Sequence, residues 1–233
     1  MPRAEASTAT VLIVDDDPRL RHLMQVVLES AGFGVESADD GDAVLSSVQR
    51  SAPDVLLLDM KMARVSGLQA LRELRSAGED VPVLVLSAIG EEQQVLAAFD
   101  AGADDYVTKP FLPRVLVARL RAILRRARSA QRTRGLRKGG VALDPNTHEA
   151  LVNGRRVRLS PTEYALLQTL MRGDGRVFTA DELLAAVWGQ EYVGQDEIVR
   201  ANIYRLRQKL EPLPGEPRFI HGQRGVGYRF LSA

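Results

Sequence analysis

The chain has 233 residues, no cysteine, and 31 basic against 30 acidic side chains for a net charge of +1. That length suits two ordinary domains with sizeable cores, and the missing cysteine excludes disulfide frameworks and thiolate metal sites. The longest apolar runs fall far short of the ~20 residues a membrane-spanning helix needs, and the opening MPRAEASTAT has no apolar signal core, so a cytoplasmic protein without membrane contact is expected.

The near-zero charge hides a division. Residues 1–124 hold 12 Lys/Arg against 19 Asp/Glu, a net of −7, while residues 125–233 hold 19 against 11, a net of +8. Solvated surface charge accounts for such asymmetry in many proteins; a basic second half also suits a polyanionic partner.

Taken in chain order, the first half alternates short apolar runs with amphipathic stretches. Strands are predicted near 10–14, 34–38, 54–58, 82–87 and 104–107, and the runs VLIV, VLLL and VLVL among them are continuously apolar, as in strands buried on both faces. Between the first two, Leu20, Leu23, Met24, Val27 and Leu28 mark one helical face. Strict alternation predicts an α/β doubly wound parallel sheet with right-handed crossovers, whose chemistry sits at the carboxyl ends of the strands. The basic stretch RRARSAQRTRGLRKGG has no apolar periodicity and reads as a helix end running into a linker, setting domains at 1–124 and 139–233 about a linker at 125–138. Beyond it, short strands near 141–143, 149–152 and 155–158 with an Asn153-Gly154 turn predict a small antiparallel sheet. Ser160-Pro161-Thr162-Glu163 reads as a capping box with proline at the first helical position. Helices near 180–187 and 197–210 and a hairpin at 218–231 complete an α+β domain.

Chemistry gathers at the predicted strand ends. Asp15 and Asp16 follow the first strand, Asp59 ends the third, Ser87 the fourth, and Lys109 follows the fifth. Singly, each suits a helix cap, a solvated lysine or a buried serine; together, at four strand ends, they read as one site. Clustered carboxylates repel unless a cation joins them, and hard oxygens in an open site favour Mg2+. Its expected ligands are Asp16, Asp59 and the backbone carbonyl of Lys61, with Asp15 acting through water. Asp59 in line with a phosphoryl group can act as a nucleophile, Lys109 and Ser87 can bind phosphoryl oxygens, and Pro110 is expected to follow a cis bond.

These motifs, VLIVDDDP, LLLDMKM, VLVLSA and GADDYVTKPF, resemble the receiver domains of OmpR/PhoB-type response regulators, and the resemblance extends through LSPTEYALLQTL, VWG, IYRLRQKL and RGVGYRF. It implies a flavodoxin-like receiver with strand order 2-1-3-4-5 followed by a winged-helix domain. It also implies phosphorylation of Asp59 by a sensor histidine kinase, with Ser87 and Tyr106 as the switch. It further implies a homodimer on activation, binding to double-stranded DNA, and RNA polymerase as a partner. The dimer face maps onto Val95, Phe99, Asp100, Asp105, Val115, Val117, Arg119 and Arg121, with Asp105–Arg119 and Asp100–Arg121 as ion pairs.

In the helix near 197–210, Val199, Ile203, Leu206 and Leu210 form a core stripe, leaving Arg200, Ala201, Tyr204, Arg205, Arg207 and Gln208 for the major groove. A solvated basic helix is the plainer reading. The glycine-flanked Arg224 in the following hairpin suits a wing reaching the minor groove, with Trp188 assigned to the core. One departure stands beside the chemistry: the family has proline four residues after the phosphoacceptor, and here that position is Ala63, which predicts weaker Mg2+ binding. A phosphohydrolase is the rival class, but Asp59-Met60-Lys61 lacks the second aspartate of the haloacid-dehalogenase type, so no classical enzyme is expected. A second alternative is an orphan regulator that binds DNA without phosphorylation and uses the receiver for dimerisation.

Overall fold

The computed structural model describes residues 9–88, 92–131, 136–145, 147–213 and 216–231. The chain divides into two units, Met1–Leu120 and Arg121–Ala233.

In the first unit β1 (Thr10–Val14), β2 (Gly34–Ala38), β3 (Val55–Asp59), β4 (Val83–Ala88) and β5 (Asp105–Lys109) form one parallel sheet in the order β2-β1-β3-β4-β5. Helices α1 (Pro18–Ser30), α2 (Val44–Ser51), α3 (Gly67–Ser76) and α4 (Glu92–Ala101) connect the strands, and α5 (Pro113–Gln131) carries the chain across the division. The doubly wound expectation holds, for the reason read from the sequence: the apolar runs of β1, β3 and β4 are wholly buried, which helices on both faces of a parallel sheet require. Edge strand β2 instead exposes Glu36 and Ser37. Helices α1 and α3 start where a short polar side chain meets orphan amides: Asp17 accepts from the amides of Arg19 and Leu20 ahead of Pro18, and Ser66 accepts from Gln69.

The second unit opens on β6 (Leu136–Lys138), β7 (Val141–Asp144), β8 (Glu149–Val152) and β9 (Arg155–Arg158), an antiparallel sheet in sequence order. Asn153 and Gly154 form the β8–β9 turn with positive φ at both. Then come α6 (Pro161–Arg172), α7 (Ala180–Val187), α8 (Asp196–Leu210) and the hairpin of β10 (Ile220–Gln223) and β11 (Gly227–Phe230). Trp188 is fully buried, as expected. In the stretch 125–138, read as a helix end running into a linker, α5 does continue to Gln131, but Leu136–Lys138 form β6, paired with β7.

The predicted capping box forms. The amide of Ser160 donates to Glu163 Oε2 at 2.9 Å, that of Glu163 donates to Ser160 Oγ at 3.3 Å, and Lys209 Nζ lies 2.7 Å from the same buried carboxylate. Ser160→Ala should lower the stability of the second unit by about 1 kcal/mol in chemical denaturation, and Ser160→Thr by less.

Candidate functional site

Sheet register alone brings the pocket together. β1 pairs with β3 so that Val14 lies opposite Leu58, Asp59 lies opposite Leu86 of β4, and Ser87 lies opposite Thr108 of β5. The next residues along these strands therefore share one edge, where Asp15, Asp16 and Asp59 place carboxylate oxygens within 4.8 Å of one another. Asp15 and Asp59 are buried and Asp16 is exposed. Lys109 Nζ sits 2.9 Å from Asp15 Oδ2 and 3.0 Å from Asp59 Oδ1, and the Lys109–Pro110 bond is cis. Asp15 is held from both sides: its carboxylate accepts from the amide of Asp17 and its carbonyl from Arg21. Ser87 is buried with Oγ 3.4 Å from the carbonyl of Ala88.

Burial is the largest influence on Asp59 and pushes its pKa above the ordinary carboxylate value; Lys109 and the amide of Lys61 pull it down, while Asp15 pushes it up. The short Lys109 contact and the burial oppose each other. Burial wins because one ammonium is shared between two carboxylates. For Lys109 itself burial favours the neutral amine, but Asp15 and Asp59 outweigh it and hold the pKa above its ordinary value.

Around β5 the structure revises the surface assigned to dimerisation. Asp105 is fully buried in an ion pair with Arg119 of its own chain at 2.8 Å, and Phe99 is buried, packed edge-on against Tyr106 at 5.8 Å. The Arg119 guanidinium lies over the half-buried Tyr106 ring at 5.6 Å. Neither Phe99 nor Asp105 therefore belongs to an exposed patch, because a large ring and a charge at an edge strand are both satisfied inside the unit. Val95, Val115 and Val117 stay half-buried, and Asp100 and Arg121 exposed.

On α8 the predicted core stripe of Val199, Ile203, Leu206 and Leu210 is buried. Arg200, Tyr204 and Gln208 are exposed along one line of the helix. Two predicted members of this face are not on it: Ala201 and Arg205 are each 7% exposed. They fall on the flank shared with buried Ile198 and Asn202, and the Arg205 guanidinium turns to Asn202 Oδ1 at 2.5 Å. A helix buried over more than its apolar stripe takes its flanking residues with it. Arg200 and the exposed Arg224 line a cleft of about 600 Å³ between the starts of α7 and α8 and the β10–β11 turn.

Arg207 also differs from expectation. Instead of facing outward it donates through Nε and Nη2 to the carbonyl of Ile220 at 3.1 and 2.9 Å. One turn on, Glu211 is buried and accepts from the amides of Arg218, Phe219 and Ile220 at 2.7, 2.9 and 2.9 Å. Together they clasp the start of β10 to the end of α8. Sequence reasoning missed Glu211, since a glutamate before proline at a helix end carries no signal that distinguishes it from a solvated one.

Two measurements follow from these geometries. Arg207→Ala should destabilise the second unit by about 2 kcal/mol, the range of a lost charged hydrogen bond, while leaving the salt dependence of DNA binding nearly unchanged; a reduced salt slope at wild-type stability would contradict the clasp. Asp59, with its folded pKa raised, contributes stability that is full below its unfolded pKa and is lost as pH rises through the folded value. In EDTA near pH 7, Asp59→Asn should therefore raise the melting temperature by roughly 3 °C, and calorimetry should show the gain shrinking as the pH is lowered.

Comparison with known proteins agrees with both units. The response regulator receiver domain family matches residues 11–121, and the family described as transcriptional regulatory protein, C terminal, matches residues 154–230. The response regulator MprA of Mycobacterium bovis is 41% identical over 220 residues, covering 94% of this chain and 95% of that protein; MprA of Mycobacterium ulcerans is 40% identical over 222 residues with the same coverage. Among solved structures, a RitR mutant is similar with a TM-score of 0.79 at 27% identity, covering 97% of this chain and all of that one. DrrB of Thermotoga maritima, described as an OmpR/PhoB homolog, gives 0.50 at 30% identity, covering 96% and 99%. With a receiver in flavodoxin-like strand order followed by a transcriptional-regulatory DNA-binding domain, the chain belongs to the OmpR/PhoB-type two-component response regulators.

Proposed function

We propose that this regulator is switched by phosphorylation of Asp59. A sensor histidine kinase presents a phosphohistidine, an Asp59 oxygen attacks phosphorus, and the P–N bond breaks with its electron pair left on the imidazole, forming an acyl phosphate. The observation that carries this reading is three carboxylates within 4.8 Å of one another, with one ammonium shared between two of them. Hard oxygens with excess negative charge at the mouth of a sheet fit Mg2+. Asp16, Asp59 and the Lys61 carbonyl would hold it, with Asp15 acting through water, and its chemistry there is neutralisation of phosphoryl charge. Lys109 pairs with one phosphoryl oxygen and Ser87 donates to another. Tyr106, already packed on Phe99 and under Arg119, follows the movement of Ser87 and remodels the α4–β5–α5 surface.

That surface then pairs two copies through Val95, Val115 and Val117, rimmed by Asp100 and Arg121. The pairing presents Arg200, Tyr204, Gln208 and Arg224 to duplex DNA, with RNA polymerase as the downstream partner in the cytoplasm. Residues 1–124 form the phosphoacceptor domain and 139–233 the DNA-binding domain, joined through the helix end and short strand of 125–138. Among the described residues no helix is long and apolar enough to cross a membrane.

Incubation with a small acyl phosphate donor and Mg2+ tests the proposal. Intact-mass measurement should show one phosphoryl group per chain and none on Asp59→Asn, and phosphorylation should raise DNA affinity about tenfold, within the usual range of allosteric coupling. An Asp59→Asn variant that dimerises and binds DNA as tightly as the phosphorylated chain would instead favour a phosphorylation-independent regulator.

A further inference from the structure

The loop that follows the phosphoacceptor, Met60 to Ser66, contains Ala63 where the family has proline, yet the structure holds it firmly from an unexpected side. Asp40, at the turn after β2, is only 2% exposed. Its Oδ1 accepts from the amides of Gly41 and Val65 at 2.7 and 2.8 Å, and its Oδ2 from the amide of Arg64 at 3.0 Å. The Arg64 guanidinium completes the grip, with Nε 3.4 Å from Asp40 and its other nitrogens 3.4 and 3.2 Å from Asp39 and Asp42. Burial alone would raise the Asp40 pKa; the three amides and the Arg64 side chain outweigh it and hold the carboxyl below its ordinary value.

Two glycines let the backbones close. A Cβ on Gly41 would lie 2.4 Å from the carbonyl oxygen of Val65, and one on Gly67 would lie 2.0 Å from that of Asp59. The amide of Gly67 also donates to the carbonyl of Met60 at 3.1 Å. The loop is thus tied at its far end to Asp40 and at its base to β3. Lys61, whose amide donates to the Asp59 carboxylate, lies between these anchors.

We propose that Asp40 is a positioning residue for the phosphoacceptor site: by capping the amides of Arg64 and Val65 it orders the loop that carries Lys61, replacing with tertiary hydrogen bonds the restriction a proline at position 63 supplies through φ. Fixing a backbone residue costs conformational entropy. A loop ordered before metal arrives leaves less of that cost to binding. Asp40 touches neither metal nor phosphoryl group; it acts through the loop. The inference rests on the Mg2+ site proposed above.

The test compares wild type, Asp40→Ala, Asp40→Asn, Arg64→Ala and the double variant Asp40→Ala/Ala63→Pro. Amide hydrogen exchange at Arg64 and Val65 without metal reads loop order, and isothermal titration calorimetry with Mg2+ reads affinity. Asp40→Ala should expose both amides to exchange and weaken Mg2+ about tenfold, the usual scale for residues supporting metal ligands. Asp40→Asn, keeping one acceptor oxygen, should fall between. Arg64→Ala keeps the backbone bonds and should stay within about twofold of wild type, and adding Ala63→Pro to Asp40→Ala should restore most of the affinity. Retained amide protection in Asp40→Ala, or faster exchange with unchanged Mg2+ affinity, overturns the positioning role alone. A wild-type chain that binds no Mg2+ overturns the metal reading and this role with it.

Discussion

The Lys109 ammonium between Asp15 and Asp59 is the contact on which the receiver pocket depends. Two buried carboxylates at the ends of neighbouring parallel strands repel at short range, and in a partly desolvated pocket that repulsion is poorly screened. Lys109 reaches both at about hydrogen-bonding distance and keeps the strand ends together. One positive charge among three carboxylates nonetheless leaves the site negative, and burial first, with Asp15 adding to it, holds the pKa of Asp59 above its ordinary value. That excess of hard carboxylate oxygens is what the Mg2+ proposed for this site requires.

The DNA-binding domain depends on a different kind of fastening. Its sheets are small, and the wing is held both by the backbone bridge between Phe178 and Tyr228 and by the end of α8. Arg207 and Glu211, one helical turn apart, bind a carbonyl and three amides of the segment leading into β10. This makes helix and wing one piece, with Arg200 and Arg224 lining the same cleft. A charged pair on the helix serves stability here, although Arg207 read from sequence as available for DNA.

Much of the fold was legible because both periodic signals were strong. Strands buried on both faces must be continuously apolar, and β1, β3 and β4 match their predicted positions to within a residue or so. The short β6 was not legible: Leu136–Lys138 lies in a basic stretch without alternation, and its strand character comes from pairing with β7. On α8 the core stripe was legible, but the width of the buried sector was not. Ala201 and Arg205 follow the flank of Ile198 and Asn202, and only packing decides how far burial extends around a helix. Phe99 and Asp105 show the same limit near β5, where matching by family position marked a surface and the packing made an interior.

By itself the sequence pattern determined the parallel sheet and the membership of the acidic pocket, while its strand order was what the resemblance to OmpR/PhoB-type receivers implied. In a parallel sheet the residue after each apolar run lands at the same edge, so naming Asp15, Asp59, Ser87 and Lys109 required only the strand ends. Tertiary structure decided which polar groups face inward and what they hold: Asp105 to Arg119, Arg207 and Glu211 to the wing, and Asp40 to a loop 24 residues away. Such bonds join segments with no local signal of each other, because a carboxylate or guanidinium reads as solvated until the fold brings unpaired backbone amides and carbonyls against it.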